Sequence, residues 1–424
     1  MELLDCVDAI TKKYGNITRL ILGTNVFVVL SKPEDYRLVL TNVNGTYKRS
    51  VTKTWEVITG DGIIRTSGAT HKLRRKIIHP LLNLKYLSEY VTFFDNFSNL
   101  CADAIEKNVD GQMFDLKPHI MQYSFDILLL EHSYSRAIKP WLQLEWIFSL
   151  TENGKETYTA QKIMLDFIYN ISPGKAANRT ASQYNNNYNV TDHFQEIKSI
   201  FKNYWDYVAR DDVTKSCAVS EENFLDDLSS FFSAIVNTVT EMTSFTVLML
   251  ATHIDVQEKL RQEISATFNN DKVDAQRLFG MQYFHMVFQE TLRLFPISPT
   301  IMRQLTGDIE LESCTLPEGC YIMIPIFTIH RNPAYWPKPL EFIPERFSAE
   351  NSSSRFRYTY IPFGTGLRDC IGQRYILLSV ATIVVNLIRR FRFLTTGSVD
   401  DIKVTADFLF RARDVKMSIS RVSY

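Results

Sequence analysis

The stretch PFGTGLRDCIG, residues 362–372, puts one cysteine behind a glycine-rich turn and two residues past an arginine. An apolar, helix-patterned run follows it, QRYILLSVATIVVNLIRRF at 373–391. Cys370 therefore stands at the start of a helix, where free backbone N–H groups and the positive dipole end favour thiolate over thiol. Gly364 and Gly366 can take backbone angles closed to other residues. Gly372 leaves room for a flat group beside the sulfur, Arg368 offers a fixed positive charge to an anion, and Phe363 can screen the sulfur on one side.

Two chemistries drop out early. A zinc site needs three or four ligands, and no other Cys or His lies close enough in sequence to supply them. Six residues on from Cys370 stands Ile376, so the arginine that a cysteine phosphatase loop needs there is missing. Two readings stay open from the residues alone. One is a lone buried cysteine, the usual fate of such a residue. The other is a thiolate ligand to haem iron, with Arg368 meeting a propionate.

The chain has 424 residues, long enough for two or three small domains or one large one. With 47 Lys+Arg against 47 Asp+Glu, its charge gives no argument for binding nucleic acid. A hydrophobic content of 45% supports a sizeable core. The six cysteines form no C-x-x-C pair, which fits a reducing compartment better than a disulfide scaffold. No run reaches the ~18 consecutive apolar residues of a membrane span. The opening MELLDCVDAITKKYGN has acids at Glu2, Asp5 and Asp8 and does not read as a signal peptide. As written, the chain reads as soluble or peripheral.

Along the chain, ITRLILGTNVFVVLS (17–31) reads as two strands about Gly23-Thr24-Asn25. SKPE then offers Ser31 as N-cap with Glu34 three residues on, a capping box. Helical patterns fill most of 70–295, interrupted by an Asn- and Ser-rich loop at 171–189. The expected class is mainly α with a small β-rich lobe. The β-rich parts are placed at about 17–66, 300–345 and 403–420, and the helical parts at about 70–295 and 371–391. The longest helix is expected from about Glu222 to Ala251, with Phe224, Leu228, Phe231, Ile235, Val239 and Met242 at helical spacing. At 1.5 Å per residue it spans roughly 45 Å.

FGTGLRDCIG resembles the haem-binding loop of the cytochrome P-450 superfamily, F-x-x-G-x-R-x-C-x-G. All five fixed positions match: Phe363, Gly366, Arg368, Cys370 and Gly372. Leu367 stands where many members have proline. ETLRLFP (290–296) looks like the superfamily's E-x-x-R helix, with Glu290 and Arg293 on one face. HRNPAYWPKPLEFIPERF (330–347) resembles the segment that supplies a further arginine, here Arg346. The resemblance runs from about residue 14 to the end, and SRAIKPWLQLEWIF (135–148) is most like family four, in its insect branch. It implies the P-450 fold as a single domain over 1–424. It also implies haem b ligated by Cys370 and a buried network of Glu290, Arg293 and Arg346. By position, Arg303 and Arg75 are similar to propionate-binding arginines, and His71 replaces a tryptophan in HKLRRK (71–76).

The implied activity is a haem-thiolate monooxygenase that uses O2 on a lipophilic small molecule. The chain lacks a G-x-G-x-x-G fingerprint, so electrons come from elsewhere. By resemblance the donor is an NADPH-dependent flavoprotein reductase, with cytochrome b5 as a second donor. The implied place is the cytoplasmic face of the endoplasmic reticulum membrane, although the anchor helix and proline-rich hinge of microsomal relatives are not seen in this chain. Lys72, Arg74, Arg75 and Lys76 form a basic helix that suits an acidic partner as well as plain solvent.

One segment departs from the pattern. Where relatives carry A-G-x-D/E-T over the iron, this chain reads Ala234, Ile235, Val236, Asn237 and Thr238. Thr238 survives, but Ile235 fills the glycine's space and Asn237 cannot titrate. Ala234 stands where many family-four members have a haem-linking glutamate, so that covalent route is closed. The passage from FDILLLEHSYS to RAIKPWLQ (125–143) is also shorter than in relatives. These features predict slow or uncoupled turnover. They keep two alternatives in play: a haem binder with weak catalysis, and a haem-thiolate isomerase or dehydratase. Phe231, Phe232, Ile235 and Val239 suggest an apolar ligand, or ordinary core.

Overall fold

The computed structural model describes residues 2–22, 25–121, 144–159, 162, 221–269, 271–406, 409–413 and 415–422. The expected loop at 171–189, the passage at 125–143, and Gly23 and Thr24 of the expected turn lie outside the described residues.

Helix α1 (Glu2–Tyr14) leads into strands β1 (Ile17–Leu22) and β2 (Asn25–Leu30), which pair antiparallel from Ile17 opposite Leu30 to Leu22 opposite Asn25. Helix α2 (Pro33–Thr41) follows. Its cap differs from the expected box. Lys32 is the N-cap, without a side-chain cap, because Pro33 takes the first helical position. The Ser31 hydroxyl turns instead to the Asn16 Oδ1 at 3.1 Å. The β-rich stretch expected over 17–66 therefore ends at Leu30. Beyond it the chain makes α2, short 3-10 turns and the helical turn Glu56–Thr59.

Helices α3 (Gly68–Ile78), α4 (Leu84–Glu106) and α5 (Lys117–Met121) come next, with strand β3 (Phe114–Asp115) before α5. The long helix α6 runs Glu221–Thr252, within a residue of its expected bounds. Then come α7 (Ile254–Phe268) and α8 (Gln282–Leu294). Strands β4 (Ile301–Gln304), β5 (Ile309–Glu310), β6 (Thr315–Leu316) and β7 (Tyr321–Ile324) lead on to α9 (Gln373–Arg390). Strands β8 (Phe391–Leu394), β9 (Val404–Ala406), β10 (Phe410–Ala412) and β11 (Lys416–Arg421) complete the chain. No strand follows β7 up to residue 345 among the described residues, so the second β-rich stretch is shorter than expected.

The main sheet has the order β1-β2-β7-β4, with β2 parallel to β7 and the other pairs antiparallel. A second sheet is ordered β3-β11-β8, and β9 pairs with β10. The core is helical. Every residue of α9 from Leu378 to Ile388 is buried, because α4, α6 and α7 all pack on it. Such a helix is apolar all round rather than striped. Its β-branched run, Val380, Ile383, Val384 and Val385, is kept helical by this packing rather than by propensity. Asn386 is buried there without cost, since its amide donates to Asp95 Oδ1 at 2.8 Å and Ser98 Oγ at 2.6 Å. Helix α6 is long and apolar enough over Asn223–Thr252 to cross a membrane by length and composition, but most of that window is buried inside the protein.

Candidate functional site

The loop between the main sheet and α9 is built by glycines. Gly364 has φ +69° and Gly366 φ +76°, both in the left-handed region. A Cβ on Gly366 would stand 2.1 Å from the Leu40 carbonyl oxygen, so α2 itself demands glycine there. The Gly364 N–H donates to the Ile361 oxygen at 2.9 Å and the Cys370 N–H to the Phe363 oxygen at 2.9 Å, which folds the loop back on itself. Phe363 stacks on Phe288 of α8, with ring centroids 6.5 Å apart.

Around Cys370 the fold gathers cations. Arg368 is buried and donates to the carbonyls of Thr66 at 2.5 Å and Ile64 at 3.0 Å, in the turn before α3. Arg75 of α3 grips residue 369, donating to the Asp369 backbone oxygen at 2.7 Å and its Oδ1 at 2.5 Å. Arg303 of β4 is 3% exposed. One Nη donates to the Met302 oxygen at 2.7 Å, while its buried Nε has no partner. Lys48, which the motifs did not point to, joins them. Its segment is tied to β4 by the Gln304 N–H to Tyr47 oxygen bond and to the Arg368 turn by its own N–H on Ser67 Oγ.

The electrostatics follow from that crowding. Burial and then the Arg368 charge bring Arg303 down to about 9, and burial and then Arg75 bring Arg368 to about 10. Burial first, then Arg303, Arg368 and Arg75, drive the Lys48 ammonium well below its usual range. His71 falls to about 3, through burial and then the same arginines, and is a neutral imidazole with one N–H to donate. Only Asp369 offers a carboxylate among the groups that shift these cations and Cys370, and Arg75 already holds it. Like charges packed this way are repelled and desolvated together. The pocket calls for an anion of more than one charge, with an unpaired Arg303 N–H ready for it. A flat dianionic porphyrin beside Cys370 fits that demand.

The Cys370 side chain is exposed, although many protein atoms stand near it. Burial therefore raises its thiol pKa, against the smaller pulls of the Gly372 N–H, Lys48 and Arg75. Helix α9 starts at Gln373 with Gly372 as N-cap, so the sulfur sits just before the first turn.

Behind the loop lies a buried charge network. Glu290 and Arg293 are both fully buried, and two bonds join them: Nε to Oε2 at 2.7 Å and Nη2 to Oε1 at 2.8 Å. Arg346 Nε reaches Glu290 Oε1 at 3.2 Å. Arg293 also donates to the carbonyls of His330, Pro339 and Glu341 at 2.9, 2.6 and 3.0 Å, so one guanidinium shapes the whole 330–341 segment. Trp336 packs beneath, with Arg293 5.2 Å and Arg355 4.3 Å from its ring centroid. The motifs named neither Trp336 nor Arg355. His330 links network to loop, its Nε2 accepting the Ile361 N–H at 3.0 Å.

His330 carries a pH consequence. Burial, then Arg293 and Arg331, lower it from 6.5 to about 3, so it is neutral when folded. The unfolded chain then binds the extra proton. Its contribution is fully present above pH 6.5 and is lost as pH falls toward 3. The slope is about 1.4 kcal/mol per pH unit across that window. His330→Gln is expected to flatten the fall of Tm with acid by one proton. An unchanged slope in thermal scans would show that His330 is charged in the fold.

A family model described as cytochrome P450 matches residues 1–419. The chain belongs to the cytochrome P450 family. It is 28% identical to cytochrome P450 4d2 of Drosophila melanogaster, covering 93% of this chain and 85% of that protein. Cytochrome P450 4V2 of Mus musculus is 24% identical, covering 93% and 80%. Cytochrome P450 3A19 of Capra hircus aegagrus is 42% identical over 37% of this chain and 72% of its own. Members of the family bind haem b through a cysteine thiolate and are haem-thiolate monooxygenases.

In this P450 one face of α6 holds Ala234, which is exposed although mid-helix, and half-buried Thr238 at i+4. Ile235 and Val239 are partly buried and pack on the helical core. Asn237 is separated from Thr238: it is 2% exposed, with its amide turned to the Ser233 carbonyl at 3.4 Å. Its burial removes it from the open face, whatever its chemistry. The expected basic surface on α3 is also reduced. Arg74 is buried against Asp227 at 3.0 Å and Arg75 is engaged with Asp369, which leaves Lys72 and Lys76 exposed.

Proposed function

We propose that Cys370 would hold haem b through its thiolate in this P450, and that Arg75, Arg303, Arg368, His71 and Lys48 would receive its propionates. One observation carries the reading: buried cations crowd around a single cysteine with one carboxylate among them. Phe363, Gly366 and Gly372 shape the loop that admits the porphyrin, and Glu290, Arg293 and Arg346 hold the segment behind it. The whole of 1–424 serves as one domain around that site.

A haem held by that thiolate would supply O2 activation, taking two electrons and two protons, with one oxygen entering the substrate and the other leaving as water. The chain's own parts do the rest. The Gly372 N–H lies beside the sulfur and lowers its thiol pKa. The cations neutralise the propionates. Thr238 holds a proton at Oγ1 on the open helix face. Ile235 excludes water where a glycine would admit it, and Asn237 has no proton to pass.

The substrate is a lipophilic small molecule, fatty acid-like or foreign, suited to Phe231, Ile235 and Val239. Electrons come from an NADPH-dependent flavoprotein reductase at the endoplasmic reticulum surface, with Lys72 and Lys76 facing it and cytochrome b5 as a second donor. A positioned acid is worth ~10²–10⁴-fold in proton transfer. Low product per NADPH is therefore expected with dodecanoic acid and reductase. Changing Ile235→Gly, which would admit water beside Thr238, should raise that ratio. Tight coupling in the unaltered protein would contradict this proton-path reading. The burial of Asn237 also favours a second reading, a haem binder with little turnover, and product analysis separates the two.

A further inference from the structure

The turn that receives Arg368 is itself held from α6. Ile64 and Thr66 supply the two carbonyls that Arg368 grips, and the residues just before them lie against the first turns of that helix. Asp227 Oδ1 accepts the Ile63 N–H at 2.8 Å, and Asp226 Oδ2 accepts the Asp61 N–H at 2.9 Å. Ser230 Oγ donates to the Thr59 carbonyl at 3.3 Å. The fit is close, since a Cβ on Gly62 would stand 2.1 Å from Ser230 Oγ. From Gly62 the chain turns straight into the presenting residues. Its carbonyl accepts the Arg65 and Thr66 N–H groups at 3.0 and 3.1 Å.

A second route leads from the same carboxylate. Arg74 of α3 donates through Nη1 to Asp227 Oδ1 at 3.0 Å and to the Asp61 carbonyl at 2.6 Å, and through Nη2 to Asn223 Oδ1. Its neighbour Arg75 holds residue 369 by both carbonyl and carboxylate. The Asp227 side chain is 0% exposed and that of Arg74 4%, so neither has solvent to fall back on. A buried pair of this kind adds little stability over apolar side chains of the same volume. What its bonds add is placement. Arg368 and Asp369, the two residues before Cys370, are both reached from one buried acid of α6.

We infer that Asp227, seconded by Asp226, is a positioning residue for the haem propionates: it sets where Arg368 and Arg75 stand, and so how their guanidinium groups meet a carboxylate. Neither acid touches the porphyrin. The inference rests on the haem-thiolate reading of Cys370 and adds the start of α6 to the parts that hold the cofactor.

The test is resonance Raman spectroscopy of the haem-loaded full chain, read at the propionate bending band, which follows hydrogen bonding to the propionates. Asp227→Asn is expected to shift that band and to leave the iron–sulfur stretching band in place. It should also speed haem transfer to apomyoglobin about tenfold. Asp226→Ala leaves Arg74 its ion pair and is expected to shift the same band by less. Asn386→Ala is the control. It loses buried bonds to Asp95 and Ser98 on the α4 side of α9, not at this turn, and the band is expected to stay. An unchanged propionate band in Asp227→Asn overturns the inference; should that variant fail to fold, an unchanged band in Asp226→Ala does so. An equal shift in Asn386→Ala would reveal a structural role only and overturn it as well. Absence of a thiolate-type ferrous–carbonyl band in the unaltered protein would instead overturn the Cys370 reading, and this one with it.

Discussion

Changing Cys370 to alanine is expected to abolish the thiolate-type Soret band of the ferrous–carbonyl complex and, with it, all monooxygenase turnover. The other described cysteines cannot substitute. Cys6 and Cys314 are on the outer surface, and Cys101 lies in the core with its thiol pushed up to about 12 by burial. Cys320 precedes β7, and burial raises its thiol too. The cluster of Lys48, Arg75, Arg303 and Arg368 with the neutral His71 is untouched by the substitution. Haem uptake through the propionates is therefore expected to persist, with a changed spectrum. A variant that keeps the unaltered band would show that the sulfur of residue 370 is not the ligand.

Changing Glu290 to glutamine is expected to cost about 3–5 kcal/mol, because Arg293 is left buried with its charge uncompensated. The loss spreads beyond one pair. Glu290 Oε1 also receives the Ile343 N–H at 2.9 Å and Arg346 at 3.2 Å, so the 330–347 segment loses its centre. Urea unfolding should show the drop, and haem should be released at lower denaturant. A useful contrast is Lys12–Asp8 on α1. At 2.6 Å it is shorter than the 2.7 Å Glu290–Arg293 contact, but the Lys12 side chain is 73% exposed. Solvent screens such a pair, and its removal should be barely measurable. Burial, not bond length, separates the two. A Glu290→Gln variant as stable as the unaltered protein would remove the network from the account of the loop.

Much of the site was legible beforehand because its rules are local. Gly364 and Gly366 need left-handed backbone, and that need is written in the residue type. Glu290 and Arg293 share a helix face by spacing alone. The absence of Gly and Pro over 221–279 announces α6. Lys48 could not be read this way: nothing near it in sequence marks it, and it joins the pocket because β4 and the turn before α3 close on it. Arg74 and Asn237 look like surface cation and pocket amide in the sequence, yet packing buries both. The capping box failed for a smaller reason, since Pro33 moved the helix start by one residue.

The sequence by itself determined the family loop, the E-x-x-R pair, the mainly helical class and the missing acid beside Thr238. Those rest on backbone preference and helical spacing, which act over a few residues. Only the tertiary structure decided which cations surround Cys370, the sign of its pKa shift, and the hold of Asp227 on Arg74 and the turn before α3. Those depend on desolvation and on charges brought together across hundreds of residues, and no local spacing encodes either.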